Sequence, residues 1–304
     1  MRLTLRQLQY IVAVADTGRF GLAAKKLNVA QPSLSAQIAE CEAELGIRIF
    51  DRGRNGAHPT AIGTDVIRRA RRILREAEDL LAVAKGRQLF DGQLRLGVLP
   101  SVGPFILPNV VRKLHADHPN LRLVLKDDST SALEDGLQEG QLDLIISTPQ
   151  DHPNTLQVPL FRERFWAAFA FDDPLAQEKG PVTKTELQGA SLLTLDRSHR
   201  LSRIVYDLAS DCDASISTDY TGSSLDTIRL MAATGAGIAI LPEIYTHAVA
   251  VRSKDIALRP IAHSAATRDL VLIQKRREET LPGTDILADA LAKEAARFLE
   301  EGEG

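Results

Sequence analysis

Small, polar, uncharged side chains cluster between residues 31 and 40, and their hydrogen-bond chemistry suits nucleobases. Leu34 and Ile38 are four residues apart and predict the buried side of a short helix, which leaves the polar side chains on the other side. Serine and glutamine hydrogen-bond to base edges, and glutamine suits adenine. A proline in the first helical turn costs nothing, because that position has no helical partner for an N–H. The pattern predicts a recognition helix whose candidate DNA contacts are Gln31, Pro32, Ser33, Ser35 and Gln37.

Basic side chains surround a glycine-bearing turn a few residues later. Ile47, Ile49 and Phe50 indicate a short strand before the turn over residues 53–56. Cations that contact phosphates fix the position of a protein on DNA without reading the sequence. A solvated loop is the alternative. The predicted wing contributes Arg48, Arg52, Arg54 and His58.

Two further helices must hold the recognition helix. Thr4 and Gln7 form a possible capping box before a predicted helix over residues 5–17, which Gly18 ends. Residues 20–27 predict a second helix whose alanines allow the recognition helix to cross closely. The arrangement is a helix-turn-helix, with an ordinary helical hairpin in an enzyme as the alternative. The predicted core of this domain includes Leu22, Val29, Leu34 and Leu45.

A long helix is predicted from Ala61 to about Lys85, before Gly86. Its apolar residues recur at alternating spacings of four and three, which is a heptad seam. A single helix cannot bury such a seam, so we expect a partner helix in a dimer that brings two recognition helices to two half-sites. Packing onto its own domain is the alternative. The seam residues are Val66, Ala70, Ile73, Ala77, Leu80 and Ala84.

The 304-residue chain has a net charge of −3 that conceals an asymmetry. Residues 1–90 carry 15 Lys and Arg against 9 Asp and Glu, whereas the remainder carries 22 against 31. The basic excess coincides with the predicted helix-turn-helix. Such an excess attracts DNA phosphates independently of sequence.

Cysteine usage and hydropathy indicate the compartment. The only two cysteines, Cys41 and Cys212, stand in unrelated contexts, which argues against a disulfide framework and favours a reducing environment. The first residues lack the apolar run of a signal peptide, and no stretch approaches the roughly 18 apolar residues of a membrane span. We therefore expect a cytoplasmic protein with no membrane association.

From Leu94 onward, strands alternate with helices, which predicts parallel sheets covered on both sides. Two such units joined by crossover strands predict a bilobed receptor with a cleft. The predicted strands cover residues 94–101, 121–127, 142–148, 165–171, 191–195, 237–242 and 270–275. The predicted helices cover residues 103–115, 132–139, 203–210, 224–233 and 284–299.

Polar residues at the carboxyl ends of these strands are the candidate ligand contacts, because ligands of open α/β sheets bind there, near helix N-termini. Helix capping explains any one of the hydroxyls, but several that converge on one cleft are better explained by a ligand. An arginine or histidine there suits a carboxylate, with a solvated surface arginine as the alternative. The candidate contacts are Ser101, Ser129, Thr130, Thr148, His199, Arg200, Ser223, Ser224 and Lys275.

The run LRQLQYIVAVADTGRFGLAAKKLNVAQPSLSAQIAECEAELGIRIFDR, followed by PTAIG and the long helix, resembles the DNA-binding region of LysR-type transcriptional regulators. The pieces LGVLPSVGPFILP, EGQLDLII and TIRLMAATGAGIAILP resemble the effector-binding domain of that family, which is similar to periplasmic solute-binding proteins. Two residues depart from the family pattern: Ala30 replaces a usual serine, and Cys41 a usual leucine.

The resemblance implies an all-α winged helix-turn-helix over residues 1–60 and a dimerisation linker helix over 61–88. It implies an α/β, periplasmic-binding-protein-like effector domain over 91–304. Its first lobe would span about 91–161 and 267–304, and its second about 162–266. The implied partners are dyad-symmetric double-stranded promoter DNA, a small-molecule effector, a homodimer that pairs into a homotetramer, and RNA polymerase.

Within the family, LPSVGPFILP and LLTLDRSHRLSRI most closely resemble the peroxide-sensing, OxyR-like subgroup. In that subgroup a redox cysteine follows the histidine that matches His199, and a resolving cysteine lies further on. Here Arg200 and Ala209 occupy those positions, so the resemblance implies loss of the cysteine pair. A positive charge in place of the thiol favours a small, anionic metabolite as effector. A peroxide response through Cys212 is the alternative.

Two other classes of protein are weighed against a regulator: an enzyme and a solute receptor, each built on the bilobed domain. The sequence shows no Gly-rich phosphate loop, no His and Cys set at metal-ligand spacing and no convincing catalytic triad. We therefore predict no catalytic residue, metal or cofactor. The basic N-terminal domain counts against a solute receptor.

Overall fold

The computed structural model describes residues 3–53, 56–84, 92–218, 220, 224–253, 255–276, 281 and 283–301. The chain divides into two compact units, one running to Gln88 and also taking in Gln138–Gln141, the other comprising the rest. Two candidate contacts, Arg54 and Ser223, lie outside the described residues.

The N-terminal unit consists of helices and one hairpin in the predicted order. Its core includes Leu34, Ile38 and Cys41, all fully buried. Leu22, predicted to lie in this core, is 51% exposed, because the second helix turns Ala23 and Ala24 inward instead. The elements are α1 (Leu5–Thr17), α2 (Phe20–Lys26), α3 (Gln31–Leu45), β1 (Phe50–Gly53), β2 (Gly56–Pro59) and α4 (Ala61–Ala84).

Helix ends in this unit follow from local sequence. Thr4 and Gln7 form the predicted capping box, and Gly18 ends α1 with φ of +66°, a conformation that suits glycine. Ala30 stands at the N-cap of α3 and offers no side-chain acceptor to the first turn. Gly63 is required by close packing, since a Cβ there would lie 2.0 Å from the Ile49 carbonyl oxygen.

The long helix α4 uses its apolar residues in two ways. Ile67 and Ala70 are buried in the core of the N-terminal unit. Further along the predicted seam, Ile73 is 46% and Leu80 is 70% exposed. The beginning of the helix therefore packs onto its own domain, whereas Ile73 and Leu80 remain largely exposed in the described chain. Among the described residues, no helix is long and apolar enough to cross a membrane.

The second unit alternates strands and helices, as the sequence predicts. The elements are β3 (Gly92–Val98), α5 (Gly103–Asp117), β4 (Leu121–Asp127), α6 (Thr130–Gln138), β5 (Leu144–Ser147), β6 (Thr155–Phe169), α7 (Lys184–Leu187), β7 (Ser191–Leu193), α8 (Arg200–Asp211), β8 (Ser215–Ile216), α9 (Leu225–Ala233), β9 (Ile238–Pro242), α10 (Glu243–Ala248), β10 (Ala257–Pro260), β11 (Thr267–Lys275) and α11 (Thr284–Glu301). Single 3₁₀ turns lie at Pro149–Asp151, Pro174–Gln177 and Ala250–Arg252.

Two sheets share the long strand β6. The first lobe has the order β4-β3-β5-β11-β6, with β3, β4 and β5 parallel and β11 antiparallel to its neighbours. The second lobe has the order β8-β7-β9-β6, with β10 on the other side of β6. The sequence prediction placed the start of β6 at residue 165, ten residues too late, because Pro159 and three charged residues interrupt the apolar pattern before it.

Each lobe has its own apolar core. Leu96, Ile145 and Ile273 contribute to the first core, and Phe165 and Val205 contribute to the second. Because α8 begins at Arg200 rather than at the predicted residue 203, the charged residues near its start are part of a helix N-terminus.

Candidate functional site

The helix α3 presents the predicted polar surface. Gln31, Pro32 and Ser33 are exposed, while Ser35 and Gln37 are half-buried. The Gln37 amide donates to Glu40 Oε2 at 3.1 Å. The surface therefore offers short hydrogen-bonding groups along one side of a helix, which is the chemistry of major-groove readout.

The hairpin β1–β2 forms the predicted wing, and its basic residues divide into two kinds. Arg48 and His58 are exposed. Arg52 is engaged instead: its Nη1 donates to Ser35 Oγ at 2.9 Å, and its guanidinium lies 4.5 Å from the centre of the Phe20 ring. Arg52 therefore connects the wing to α2 and α3 while keeping its charge beside the predicted DNA surface.

Thr130 and Arg200, two of the candidate ligand residues, are in direct contact between the lobes. Thr130, at the start of α6 in the first lobe, accepts a hydrogen bond at Oγ1 from the backbone N–H of Arg200 in the second lobe, at 3.2 Å. Thr130 is buried. The N-termini of α6 and α8 thus meet across the cleft, as ligand sites in open α/β sheets do.

Arg200 makes a second contact across the cleft. Its Nη1 donates to Asp151 Oδ1 at 2.9 Å, and the side chains of Arg200 and Asp151 are 15% and 20% exposed. The Thr148 hydroxyl donates to the other oxygen of Asp151. Arg200 therefore connects the lobes through both its backbone and its guanidinium, and Thr148 takes part through Asp151.

His199 precedes this helix and lies among acidic groups. It is buried, and its Nε2 is 3.9 Å from Asp196 Oδ2. The hydrogen bond from the Ser198 hydroxyl lowers the pKa of Asp196, and the Ser198 N–H and His199 lower it further. Burial of Asp196 opposes this shift in part. Burial alone would raise the pKa of Asp128, but the hydrogen bonds from Lys126 and Ser129 and the charge of His199 lower it.

Ser101 is occupied by a buried ion pair. Its Oγ accepts a hydrogen bond from Arg268 Nη2 at 2.9 Å, and Arg268 Nε donates to Glu163 Oε1 at 2.7 Å. Arg268 and Glu163 face each other on β11 and β6, the strands that run between the lobes. Glu163 also accepts from the backbone N–H of Ile244 in α10. Ser101 therefore helps fix the crossover strands.

Three other candidate residues have structural positions of their own. Ser129 and Ser224 cap α6 and α9, accepting from the N–H groups of Ala132 at 3.4 Å and Thr227 at 3.3 Å. Lys275 lies at a different edge of the sheet. Because β11 runs antiparallel to β5, with Gln274 opposite Leu144, Lys275 lies at the amino ends of the parallel strands, the opposite edge of the sheet.

A hydrogen-bonded series in the first lobe has the residue types of a hydrolase triad. His152 Nε2 is 2.9 Å from Ser147 Oγ, and its Nδ1 contacts Glu134 Oε2. Ser147 and His152 are fully buried, so the serine hydroxyl is not exposed to solvent in this structure. These hydrogen bonds hold His152, the residue after Asp151, in place. Within the described ranges, no group of three or more His, Cys, Asp and Glu residues is arranged to hold a metal ion.

The two cysteines are buried free thiols. Burial raises the pKa of Cys41, and Glu44, Glu42 and Glu40 raise it further. Burial also raises the pKa of Cys212, which Lys184 opposes in part. Burial and the raised pKa both disfavour the reactive thiolate form of these cysteines.

The sequence reasoning missed Asp151, Arg268 and Glu163. Asp151 lies only three residues after Thr148, near the carboxyl end of β5. A search of the strand ends for acidic partners of Arg200 would have found it. Glu163 and Arg268 gave no local signal, because each is a charged residue in an extended segment and its burial depends on a strand 105 residues away.

Family models match both units of the chain. The model described as "LysR substrate binding domain" matches residues 87–296, and the model described as "Bacterial regulatory helix-turn-helix protein, lysR family" matches residues 5–64. The chain belongs to the LysR family. It is a DNA-binding transcriptional regulator with a winged helix-turn-helix followed by a bilobed α/β domain.

Its relatives include regulators named for peroxide. A "Hydrogen peroxide-inducible genes activator" from Haemophilus influenzae is 31% identical over 98% of this chain and 99% of the relative. The "DNA-binding transcriptional dual regulator OxyR" of Escherichia coli is 33% identical over 80% of each chain. A solved full-length OxyR variant from Pseudomonas aeruginosa matches with a TM-score of 0.78 and 28% identity, covering 96% of this chain and 95% of that one.

Proposed function

We propose that this regulator binds dyad-symmetric promoter DNA and responds to a small anionic metabolite. Two copies form a homodimer through residues 61–88, and two such dimers form a homotetramer. In this proposal the protein works in the cytoplasm and transmits the response to RNA polymerase. The ligand binds between the lobes, beside Arg200, Thr130 and His199. Binding changes the relation between the lobes and so shifts an equilibrium between two arrangements of the bound DNA.

The observation that carries this proposal is the position of Arg200. It is the first residue of α8, so its guanidinium adds to the positive end of a helix dipole. It contacts the first lobe at both Thr130 and Asp151. A guanidinium at this junction favours recognition of a carboxylate or another oxyanion, which it binds through paired N–H groups.

Two exposed apolar residues of α4 support the dimer. Ile73 and Leu80 are exposed at heptad positions, on a helix whose earlier apolar residues are already used within its own domain. A second copy of the same helix would cover them in a two-fold arrangement.

A redox response through Cys212 is the second candidate, and the similarity to regulators named for hydrogen peroxide favours it. The environment of the thiol opposes it, since Cys212 is fully buried and burial raises its pKa. A peroxide-sensing thiol must be accessible and ionised.

The experiment is a DNA-binding assay on the upstream region of the regulator's own gene, at fixed salt. Reduced protein, peroxide-treated protein and protein with a panel of metabolite carboxylates are compared for affinity and DNA bending. We expect a carboxylate to change the complex and peroxide to leave it unchanged. Arg200→Ala should abolish the response, whereas Arg203→Ala, an exposed arginine on the same helix, should preserve it. A response to peroxide alone would assign sensing to a thiol.

A further inference from the structure

Arg200 already holds a carboxylate. Asp151 of the first lobe accepts from its Nη1 at 2.9 Å, in a place where the two side chains are 15% and 20% exposed. Charges that are largely shielded from water interact more strongly than exposed ones. The carboxylate that binds the guanidinium is therefore a side chain of the protein itself, from the opposite lobe.

The structure fixes Asp151 at this position from its own side. Asp151 ends the 3₁₀ turn Pro149–Asp151, and its second oxygen accepts from the Thr148 hydroxyl. The next residue, His152, is fully buried between Ser147 and Glu134. The carboxylate is thus presented by an anchored turn, which lowers the entropy lost when it binds Arg200.

The hydrogen-bonding capacity of Arg200 is nevertheless incompletely used. Its Nε is buried and has no hydrogen-bond partner in the part of the chain that the structure describes. A buried donor without a partner is costly. A free carboxylate or oxyanion is not tied to a backbone, so it can align with Nε and a terminal nitrogen together, the paired geometry that guanidinium groups favour.

We propose that Asp151 is an intramolecular occupant of the Arg200 anion site, and that an effector anion acts by displacing it and releasing the contact between the lobes. This inference rests on the proposed function, because it names how the same site is regulated. The internal carboxylate competes with every anion for Arg200, so it sets the concentration at which a ligand acts. It also provides the differential contact between two states that a ligand-driven shift requires.

Chemical rescue tests the occupancy without knowledge of the effector. Asp151→Ala removes the carboxylate and leaves space for a small one. We expect its thermal midpoint to fall and millimolar acetate or formate to restore it, with matched chloride as the salt control. Acetate should leave the wild type and the Asp151→Ala/Arg200→Gln double variant unchanged. Equal effects of acetate on all three proteins would overturn the proposal.

Competition tests the displacement. Asp151→Asn keeps the shape of the side chain but removes its charge, and any carboxylate that acts on the wild type should act on this variant at about tenfold lower concentration. Asp135→Asn, an exposed acid on α6 in the same lobe, is the matched control and should respond as the wild type does. An unchanged or higher effective concentration for Asp151→Asn would overturn displacement.

The two experiments separate this inference from the proposed function. If acetate rescues Asp151→Ala but no metabolite acts on the wild type, Asp151 occupies the Arg200 site and the proposed metabolite response is wrong. If a metabolite acts on the wild type, but acetate does not rescue Asp151→Ala and Asp151→Asn does not respond at a lower concentration, the proposed function stands. The proposal that Asp151 occupies the site is then wrong.

Discussion

Arg52 of the hairpin donates to Ser35 Oγ of the recognition helix at 2.9 Å. Its guanidinium also lies over the Phe20 ring, and its Nη2 is 3.6 Å from Glu42 Oε2. One side chain therefore joins the wing to both helices of the helix-turn-helix. The sequence pattern predicts that Arg52 contacts DNA from the wing, and these contacts lead us to predict that it also orients α3.

We predict that Arg52→Lys lowers discrimination between operator and random DNA several-fold while leaving non-specific affinity nearly unchanged. Lysine retains the charge but lacks the planar, forked donor set and the stacking face of arginine. Competition binding with operator and random duplexes over a salt series measures both quantities. The slope of affinity against salt should stay the same, because the number of phosphate contacts does.

Arg48→Lys is the matched control, since Arg48 is exposed and close in sequence. It should change neither discrimination nor salt slope. If Arg52→Lys weakened binding to operator and random DNA equally, the residue would be a phosphate contact and not an orienting one.

A second prediction concerns Ala30, the N-cap of α3, which has φ of −70° and ψ of 133° and no side-chain acceptor. Serine fits this backbone conformation and would accept from an N–H of the first turn. Ala30→Ser should stabilise the N-terminal unit by about 1 kcal/mol, measured as a higher midpoint by circular dichroism. Ala36→Ser, at an exposed position inside the same helix, should instead lower stability by a few tenths of a kcal/mol. Equal effects at both positions would contradict the capping argument.

The sequence predicted well what local patterns determine. The capping box at Thr4, the end of α1 at Gly18 and the hairpin around residues 53–56 depend on residues close together in the chain, and the structure confirms them. Leu22 was misplaced because either side of α2 offers apolar residues, and only packing against α1 and α3 decides which side is buried.

The errors in the second unit have a different origin. The early part of β6 contains Pro159 and charged residues, which are typical of a loop, yet it pairs with β11 and is supported by the bidentate contact of Arg162 with Asp269 at 2.7 and 3.0 Å. The Arg200–Asp151 contact likewise joins residues 49 positions apart. Such pairs are set by topology, which single-sequence patterns do not contain.

A third prediction concerns thiol reactivity. Because burial raises the pKa of both Cys41 and Cys212, the thiolate fraction at neutral pH is small and access is blocked. A thiol reagent such as Ellman's should modify the native protein at least about tenfold more slowly than the protein in guanidinium. Cys212→Ser should then match the wild type in DNA binding after peroxide treatment. Rapid modification of one thiol in the native protein would reverse this conclusion and favour redox sensing.

A fourth prediction concerns acid stability of the second lobe. Hydrogen bonds from the Thr183 hydroxyl and N–H, together with Arg259, lower the pKa of Glu186 from 4.5 to about 2. The Arg259 Nη1–Glu186 Oε1 distance is 2.8 Å. A carboxyl whose pKa is depressed on folding stabilises the protein above its unfolded pKa, and this contribution disappears as the pH falls through the folded value.

Glu186→Gln should therefore destabilise the second lobe by about 1 kcal/mol at pH 7, an effect kept small because the carboxyl is partly exposed. The difference from the wild type should shrink between pH 4.5 and about 2, the interval between the two pKa values. Trp166, the single tryptophan, lies on β6 in this lobe and reports its unfolding by fluorescence. Glu178→Gln, at an exposed site nearby, should show no such pH dependence. A constant difference between Glu186→Gln and the wild type across this interval would show that the contacts of Glu186 do not depend on its charge.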